Sequence, residues 1–361
     1  MEKYRVLQYP SLDALNDEIN KLADKYAPVG NLIYVDGKFI QQVELTEEGE
    51  ELIRKEEALG YVVVSDEASF REALCGSKEI YLKEDITLTN ISKENKLLIE
   101  KPSKINLKGH KLTLSGARPR FDVKSSLSVS NGEVEGGSYV FLLVDGADLK
   151  LSSVKVSGEC TATIGTSLNP GEVANIEARG CELVGGSTGS IVTWGGNVKL
   201  YNSTVIGKGY YGISATGNNT VPPTNVYAED CIISNENKVD GAGIYFPAQG
   251  SLYFKNCDVS GAVAAYIKCG DVRIAGGKYS SLKESVEPYA FNNSGFVATG
   301  DIIVCDACNY PNGDAQVAIV NPSFGSRSED AFDIASYKKS EDYVGSQKVN
   351  VSVNTIAKKN F

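Results

Sequence analysis

The chain has 361 residues, 36 Lys and Arg against 46 Asp and Glu, and a formal net charge of −10, so a non-specific grip on nucleic acid or an anionic membrane would work against repulsion and neither is an expected partner. No run of about 20 apolar residues offers a membrane span, and "MEKYRVLQYP" lacks the basic and apolar regions of a secretory signal, which leads to the expectation of a soluble protein made in a cytoplasm. Eight cysteines in so long a chain are too dilute for a disulfide scaffold and read as buried thiols.

Residues 1–46 read as a small βαββ attachment domain. "KYRVLQY" alternates as a strand, Ser11 stands as an N-cap before "LDALNDEINKLADKYA", and "NLIYVDGKFIQQVEL" makes a hairpin about Asp36-Gly37. Its expected apolar set is Val6, Leu12, Leu15, Ile19, Leu22, Leu32, Ile33 and Phe39. The positions Tyr26, Pro28, Gly30, Phe39 and Gln41 resemble a small uncharacterised family of bacterial and phage proteins with a Y-x-P-x-G…F-x-Q pattern, over about residues 3–45. That resemblance implies no activity. Residues 47–60, "EEGEELIRKEEALG", read as a charged helical connector.

From residue 61 a different pattern begins. A helical stretch after Ser65, with Phe70 and Leu74 at i and i+4, suits an N-terminal cap over an exposed sheet edge. A frame of apolar, x, apolar, two-residue break, x, apolar then recurs every 20–28 residues, with its first position on Ile105, Leu127, Leu149, Ile176, Val198, Val226, Leu252 and Val272. The last position falls on Leu112, Val134, Val156, Leu183, Val205, Ile233, Val259 and Tyr279. The first residue of the break is Gly109, Asn131, Ser153, Gly180, Asn202, Asp230, Asn256 or Gly276, types that adopt a left-handed backbone at low cost. A third strand precedes each pair, as in "TATIGTS", "SIVTWGG" and "YGISATG".

Three short strands per repeat describe a mainly β fold, a parallel β-helix over residues 61–281. Antiparallel hairpins would need regular Asn-Gly turns and no fixed frame. The rungs resemble the pectin-lyase-like right-handed parallel β-helix superfamily over about residues 61–300, which implies the right-handed form. Past Tyr279 the frame dissolves, and residues 282–361 read as further strands, an end cap or an oligomer contact.

The resemblance implies that any catalytic groups lie on the outer face of the first strand and its flanking loops. With Ile191, Ile213, Ile244 and Ile267 inward, the outward residues include Ser190, Val192, Trp194, Gly212, Ser214, Gly243, Tyr245, Tyr266 and Lys268, and no carboxylate. Paired aspartates, Gly-His-Gly and Arg-x-Lys signatures are missing; Arg118 and Arg120 have no carboxylate cluster in the sequence beside them, and His110 reads as a corner residue. The loop carboxylates Asp145, Glu159, Glu172 and Asp240 are the candidate catalytic groups, because cleaving a polysaccharide needs a pair of them. Trp194, Tyr210, Tyr211, Tyr245 and Tyr266 are the candidate ligand-binding residues, since aromatic rings stack on sugars or on protein. No cofactor or metal is expected: Cys305 and Cys308 form a CxxC without a second pair.

The expected function is a structural or binding protein without enzymatic activity: a phage virion appendage such as a spike, fibre or head-decoration protein. Residues 1–60 would attach it to other virion proteins, and the β-helix would meet a host-surface glycan or receptor as a homo-oligomer, by analogy a trimer. The alternative is a polysaccharide lyase or glycoside hydrolase on the same fold.

Overall fold

A computed structural model describes residues 4–49, 60–76, 78–216, 223–282, 289–290, 297–298, 300–305, 315–325, 332–337 and 349–354. The chain divides into two compact units, residues 1–62 and 63–361.

The first unit is a three-stranded antiparallel sheet with one helix. Strands β1 (Tyr4–Tyr9), β2 (Tyr26–Val35) and β3 (Lys38–Leu45) lie in the order β1-β3-β2, and α1 spans Leu12–Leu22. Ser11 caps α1 by accepting from the Ala14 N–H at 3.2 Å, and the β2–β3 turn uses left-handed Asp36 (φ 50°) and Gly37 (φ 76°), the pair of positive φ values that a two-residue hairpin needs. The helix ends at Leu22 rather than running to Ala27, because Tyr26 and Ala27 already pair with Leu45 and Glu44 in the sheet.

The expected apolar set of this unit needs correction. Leu15, Tyr26, Val43 and Leu45 are buried, with Leu7, Ile19 and Leu22 packed around them, whereas Val6 is 60% exposed and Leu12, Leu32 and Ile33 are also exposed. The register sets Leu7 opposite Gln41 and Val6 opposite Gln42, so Leu7 shares the face of Val43 and Leu45 and Val6 points away from it. In β2 a bulge between Val29 and Ile33 shifts the alternation, and the buried Gln41 amide ties that bulge down by donating to the Val29 carbonyl at 2.9 Å. The expected connector lies mostly outside the described residues.

The second unit opens with β4 (Tyr61–Val64) and α2 (Glu67–Leu74). Asp66, one residue past Ser65, is the N-cap and forms a reciprocal capping box with Ser69. Phe70 is fully buried, and Glu67 accepts from the Thr89 N–H and hydroxyl at 2.9 and 2.7 Å and from Arg71 at 2.9 Å. Burial opposes ionisation of Glu67, but these hydrogen bonds prevail and hold its carboxyl below the usual carboxylate range.

Beyond the cap every rung contributes to parallel ladders. The first strands form one ten-stranded sheet from Leu97–Ile99 to Phe332–Tyr337. One inward column runs Leu97, Phe121, Phe141, Ile164, Ile191, Ile213, Ile244, Ala265, Ile302, and Phe121 and Phe141 stack at 5.6 Å and 12°. Ile267 also faces inward, but it pairs with Phe246 rather than Ile244. In the second and third strands the frame of the sequence holds from Leu127 to Val272 and from Leu112 to Tyr279.

At the corners Asn131, Ser153, Gly180, Asn202, Asp230, Asn256 and Gly276 all have φ between 47° and 69°. This geometry keeps the ladder running round the bend: the N–H groups of Gly180, Asn202, Asp230 and Asn256 donate to Tyr201, Glu229, Lys255 and Ala275 carbonyls of the next rung at 2.9–3.0 Å. The following corner residues, among them Cys181, Ser203, Cys231 and Cys257, are tucked inside.

Two features depart from expectation. Val129 pairs with Ile105, and Leu127 pairs with Ser103, so the first rung sits two residues out of the assigned frame. The offset is taken up in a longer corner, with Lys108 (φ 55°) and Gly109 (φ 89°) both left-handed, and Leu107 fills the space beside Gly132. His110 consequently stays partly exposed, its Nδ1 3.4 Å from Asp85. Past Tyr279 the ladders do not dissolve: Gly300–Cys305 extends the first-strand sheet, Ala315–Val320 pairs with Gly270–Ala275, Ser323–Phe324 pairs with Lys278–Ser281, and Val349–Asn354 pairs with Ala315–Val320, all parallel. Cys305 ends one of these strands, and Cys308 lies outside the described residues.

Val226 and Leu252 are buried partners in adjacent rungs. Replacing either by Asp should cost on the order of 3 kcal/mol or more through an unpaired buried charge and lower the melting temperature by several degrees. Ile232→Asp, at an exposed site, should leave it nearly unchanged. Equal melting of all three variants would show the frame to be misassigned.

Burial pushes the Cys160 thiol up to about 11 and raises that of Cys181, while Cys75 is exposed. Iodoacetamide at about pH 8 should therefore modify Cys75 in the folded protein and spare Cys160, Cys181, Cys231, Cys257 and Cys269 until denaturant is added. Peptide mass spectrometry reads the pattern; labelling of Cys181 without denaturant would contradict the closed corner.

Candidate functional site

The outer face of the first strands does not carry the aromatic residues as one row. Trp194 is 42% exposed and lines a cleft of about 380 Å³ with Tyr139, Leu142, Thr166 and Val192; Tyr139 reaches over Gly165, where a side chain would collide with its ring. Tyr210, Tyr211, Tyr245 and Tyr266 form a separate cluster. Tyr211 stacks on Tyr245 at 4.7 Å and 12°, and Tyr245 meets Tyr266 at 5.3 Å. Tyr210 is 51% exposed, but Tyr266 is only 1% exposed, with the buried Lys268 ammonium 5.1 Å from its ring centre and 5.6 Å from that of Tyr245. Tyr266 thus packs as part of the wall rather than standing free for a ligand.

Three residues expected to point outward are tucked in. Ser190 is fully buried and donates to the Leu183 carbonyl at 2.9 Å, and Thr163 donates to the Ser190 carbonyl at 2.6 Å. A side chain at Gly212 would meet Ile233 and Ser234, and one at Gly243 would meet Val259 and Ser260. The first strand starts so close to the third that only small residues fit there.

A carboxylate does stand on this face, on an earlier rung. Asp122 pairs with Leu142 in register, but it forms an ion pair with Arg120 at 2.8 Å in which both side chains are largely buried. Arg120 is thereby committed to Asp122 and not to an incoming acid.

The four candidate carboxylates fall at two different corners. Asp145 and Glu172 follow first strands of neighbouring rungs. Asp145 pairs with Lys124 at 3.3 Å, and Glu172 closes its loop by accepting from the Asn169 amide and N–H, both at 2.9 Å. The Asn169 side chain and N–H hold the Glu172 carboxyl below its ordinary range. Glu159 and Asp240 follow third strands. Three ladder steps separate those strands, Asp148–Gly158 to Glu182–Gly185 to Thr204–Gly207 to Ile232–Asn235, a span of about 14 Å at about 4.8 Å per step. A glycosidase pair works at about 5–9.5 Å. Asp240 accepts from Asn237 at 2.5 Å, whereas Glu159 lines a cleft of about 770 Å³ with Glu135, Ser138, Thr161, Ser187 and Lys208. Glu135 is ion-paired with Lys111.

A second aromatic ladder went unread in the sequence. Tyr201, Tyr227 and Tyr253 lie on the outer face of successive second strands, with ring centres 5.5 and 5.4 Å apart, and the Arg179 guanidinium lies 3.8 Å over the Tyr201 ring. The Tyr227 hydroxyl donates to Glu229 at 2.7 Å, and Lys255 donates to the same carboxylate at 2.5 Å. The bond to Glu229 pushes the Tyr227 hydroxyl up to about 12. These tyrosines occupy outward positions of the same repeating frame, so a search of the second strands for outward aromatics would have found them.

Among the described residues, no group of three or more His, Cys, Asp or Glu side chains is placed to hold a metal ion, and no helix is long and apolar enough to cross a membrane. No curated protein and no solved structure matches the chain, and the resemblance noted for residues 3–45 draws no support from these comparisons. Residues 121–280 match the family model described as the right handed beta helix region, and with the parallel ladders this supports the right-handed β-helix superfamily as the home of the solenoid.

Proposed function

We propose that the chain is a structural or binding protein without enzymatic activity, a virion appendage such as a phage spike, fibre or head-decoration protein. The observation that carries this reading is the commitment of the candidate carboxylates: Asp145 and Glu172 to Lys124 and Asn169, Asp240 to Asn237, with Glu159 about three strand spacings from Asp240. Exposed Trp194 and Tyr210 instead offer flat apolar area with polar edges, suited to a host-surface glycan or protein. Residues 1–60 serve as the attachment unit, and side-by-side association into a homotrimer presents several copies of the aromatic face. Its place is then the virion, assembled in a host cytoplasm.

One observation favours a second reading, a polysaccharide lyase or hydrolase. Glu159 and Lys208 line the 770 Å³ cleft with four hydroxyl side chains, Ser138, Ser157, Thr161 and Ser187, which is a setting for acid–base chemistry. Incubation with a panel of acidic and neutral polysaccharides separates the two. The structural reading expects no new reducing ends or unsaturated products from any of them, and Trp194→Ala should weaken retention on the polysaccharide that holds the protein best. Product release abolished by Glu159→Gln would replace it with the enzymatic one.

The assignment of attachment to residues 1–60 has its own test. A chain beginning at Gly60 retains β4, α2 and all later strands, so it should melt cooperatively as a β-rich protein yet fail to enter particles. Normal incorporation of the truncated chain would move the attachment role to the solenoid.

A further inference from the structure

The second strands present a continuous track on their outer face. Lys150, Glu177, Lys199, Tyr227, Tyr253 and Arg273 stand in one register column. Beside it runs a ladder of amides: Asn175 donates to Asp148 at 2.7 Å, Asn197 to Asn175 at 2.8 Å, Asn225 to Asn197 at 3.0 Å, and the Ser251 hydroxyl to Asn225 at 2.9 Å. Each amide nitrogen carries two N–H groups, and the ladder uses one. A cleft of about 400 Å³, lined by Asp148, Lys150, Asn175, Glu177, Asn197 and Lys199, opens between the amides and the column, and Lys199 pairs in register with Tyr227.

Charge on the track is balanced locally. Arg179 is paired with Glu177 at 2.7 Å, Lys255 with Glu229 at 2.5 Å and Arg273 with Asp271 at 3.2 Å. With Lys150 and Lys199 of the cleft included, five cations stand against four carboxylates, Asp148 among them, so a strongly charged polymer would find little net field to hold it here. An uncharged ligand with a flat apolar face and hydroxyl edges would meet rings on one side and amides on the other.

We propose that this face binds a neutral, linear polysaccharide of diequatorially linked pyranoses, laid parallel to the solenoid axis with one sugar per rung. The argument is one of matching repeats. Rungs recur at about 4.8 Å, and an extended diequatorial chain advances by nearly the same length per sugar, so successive sugars fall on successive rungs, alternate ones presenting opposite edges. Axially linked chains coil and fall out of step after one or two sugars. The site is separate from the first-strand face that bears Trp194 and does not depend on what that face does.

Isothermal titration of the full-length protein with cello- and chito-oligosaccharides of two to six sugars tests the match. Affinity should rise with length up to the hexasaccharide, because the track spans six rungs. Tyr227→Ala and Tyr253→Ala should each weaken hexasaccharide binding by about tenfold or more, with cooperative melting retained because both side chains lie on the outer face and leave the inward columns intact. Tyr227→Phe should bind as wild type, and maltohexaose should bind far more weakly. The proposal is overturned if neither hexasaccharide binds, if affinity does not depend on chain length, or if Trp194→Ala abolishes binding that both tyrosine variants retain.

Discussion

The left-handed residue at the corner between second and third strands is the constraint on which the rest of the solenoid depends. A rung must change direction without breaking its hydrogen bonds to the rungs above and below, and a buried orphan amide would cost about 1–3 kcal/mol at every turn. Placing one residue near φ 50°, as at Asn202, Asp230 and Asn256, bends the chain while its N–H still finds the next rung's carbonyl. An ordinary L-residue pays roughly 1–2 kcal/mol for that conformation, which is why Asn, Asp, Ser and Gly occupy the position. Because the corners stack, the strands on both sides are locked in register, and every inward and outward column follows from them.

Locked register turns sequence into ladders. Inside, equivalent positions repeat as the Phe121–Phe141 stack and the isoleucines beyond it; outside, they repeat as amides and tyrosines. Chemistry on such a surface is quantised along the axis in steps of about 4.8 Å. Two carboxylates can act on one bond only from the same or neighbouring rungs, so the positions of Glu159 and Asp240 set them apart whatever their side chains do. Recognition of something long and repetitive, by contrast, comes readily to this geometry.

The repeat was legible because its inward apolar positions and its corner residues obey two independent rules that agree from Leu127 onward. The first rung was misread by two residues because a shift of two keeps the same side of the strand inward, so the alternation cannot oppose it; Ser103, buried and bonded to the Lys101 carbonyl at 3.0 Å, takes the place held by leucine in the next rung. In the first unit, Val6 and Leu7 are equally apolar neighbours, and only the pairing with Gln42 and Gln41 decides which is buried. Tyr245 and Tyr266 look alike in the sequence and pair directly, but only Tyr266 is fully buried, with the Lys268 ammonium beside both rings, which no local pattern encodes. The Tyr201, Tyr227 and Tyr253 ladder was within reach of the same frame, on a strand where the family resemblance gave no reason to look.

The continuing ladders past Tyr279 have a mechanical consequence. Hydrogen bonds in this solenoid lie along its axis, so a tensile load applied end to end is carried by the three ladders between each pair of rungs acting in parallel, and by successive rung pairs in series. Such a rod is as strong as its weakest step. The third-strand ladder carries four register pairs between Asp258–Gly261 and Lys278–Ser281, and only two between Lys278–Tyr279 and Ser323–Phe324. At that step the six pairs of the second-strand ladder and the three of the first remain, so a pull reaches the last turns chiefly through the second strands.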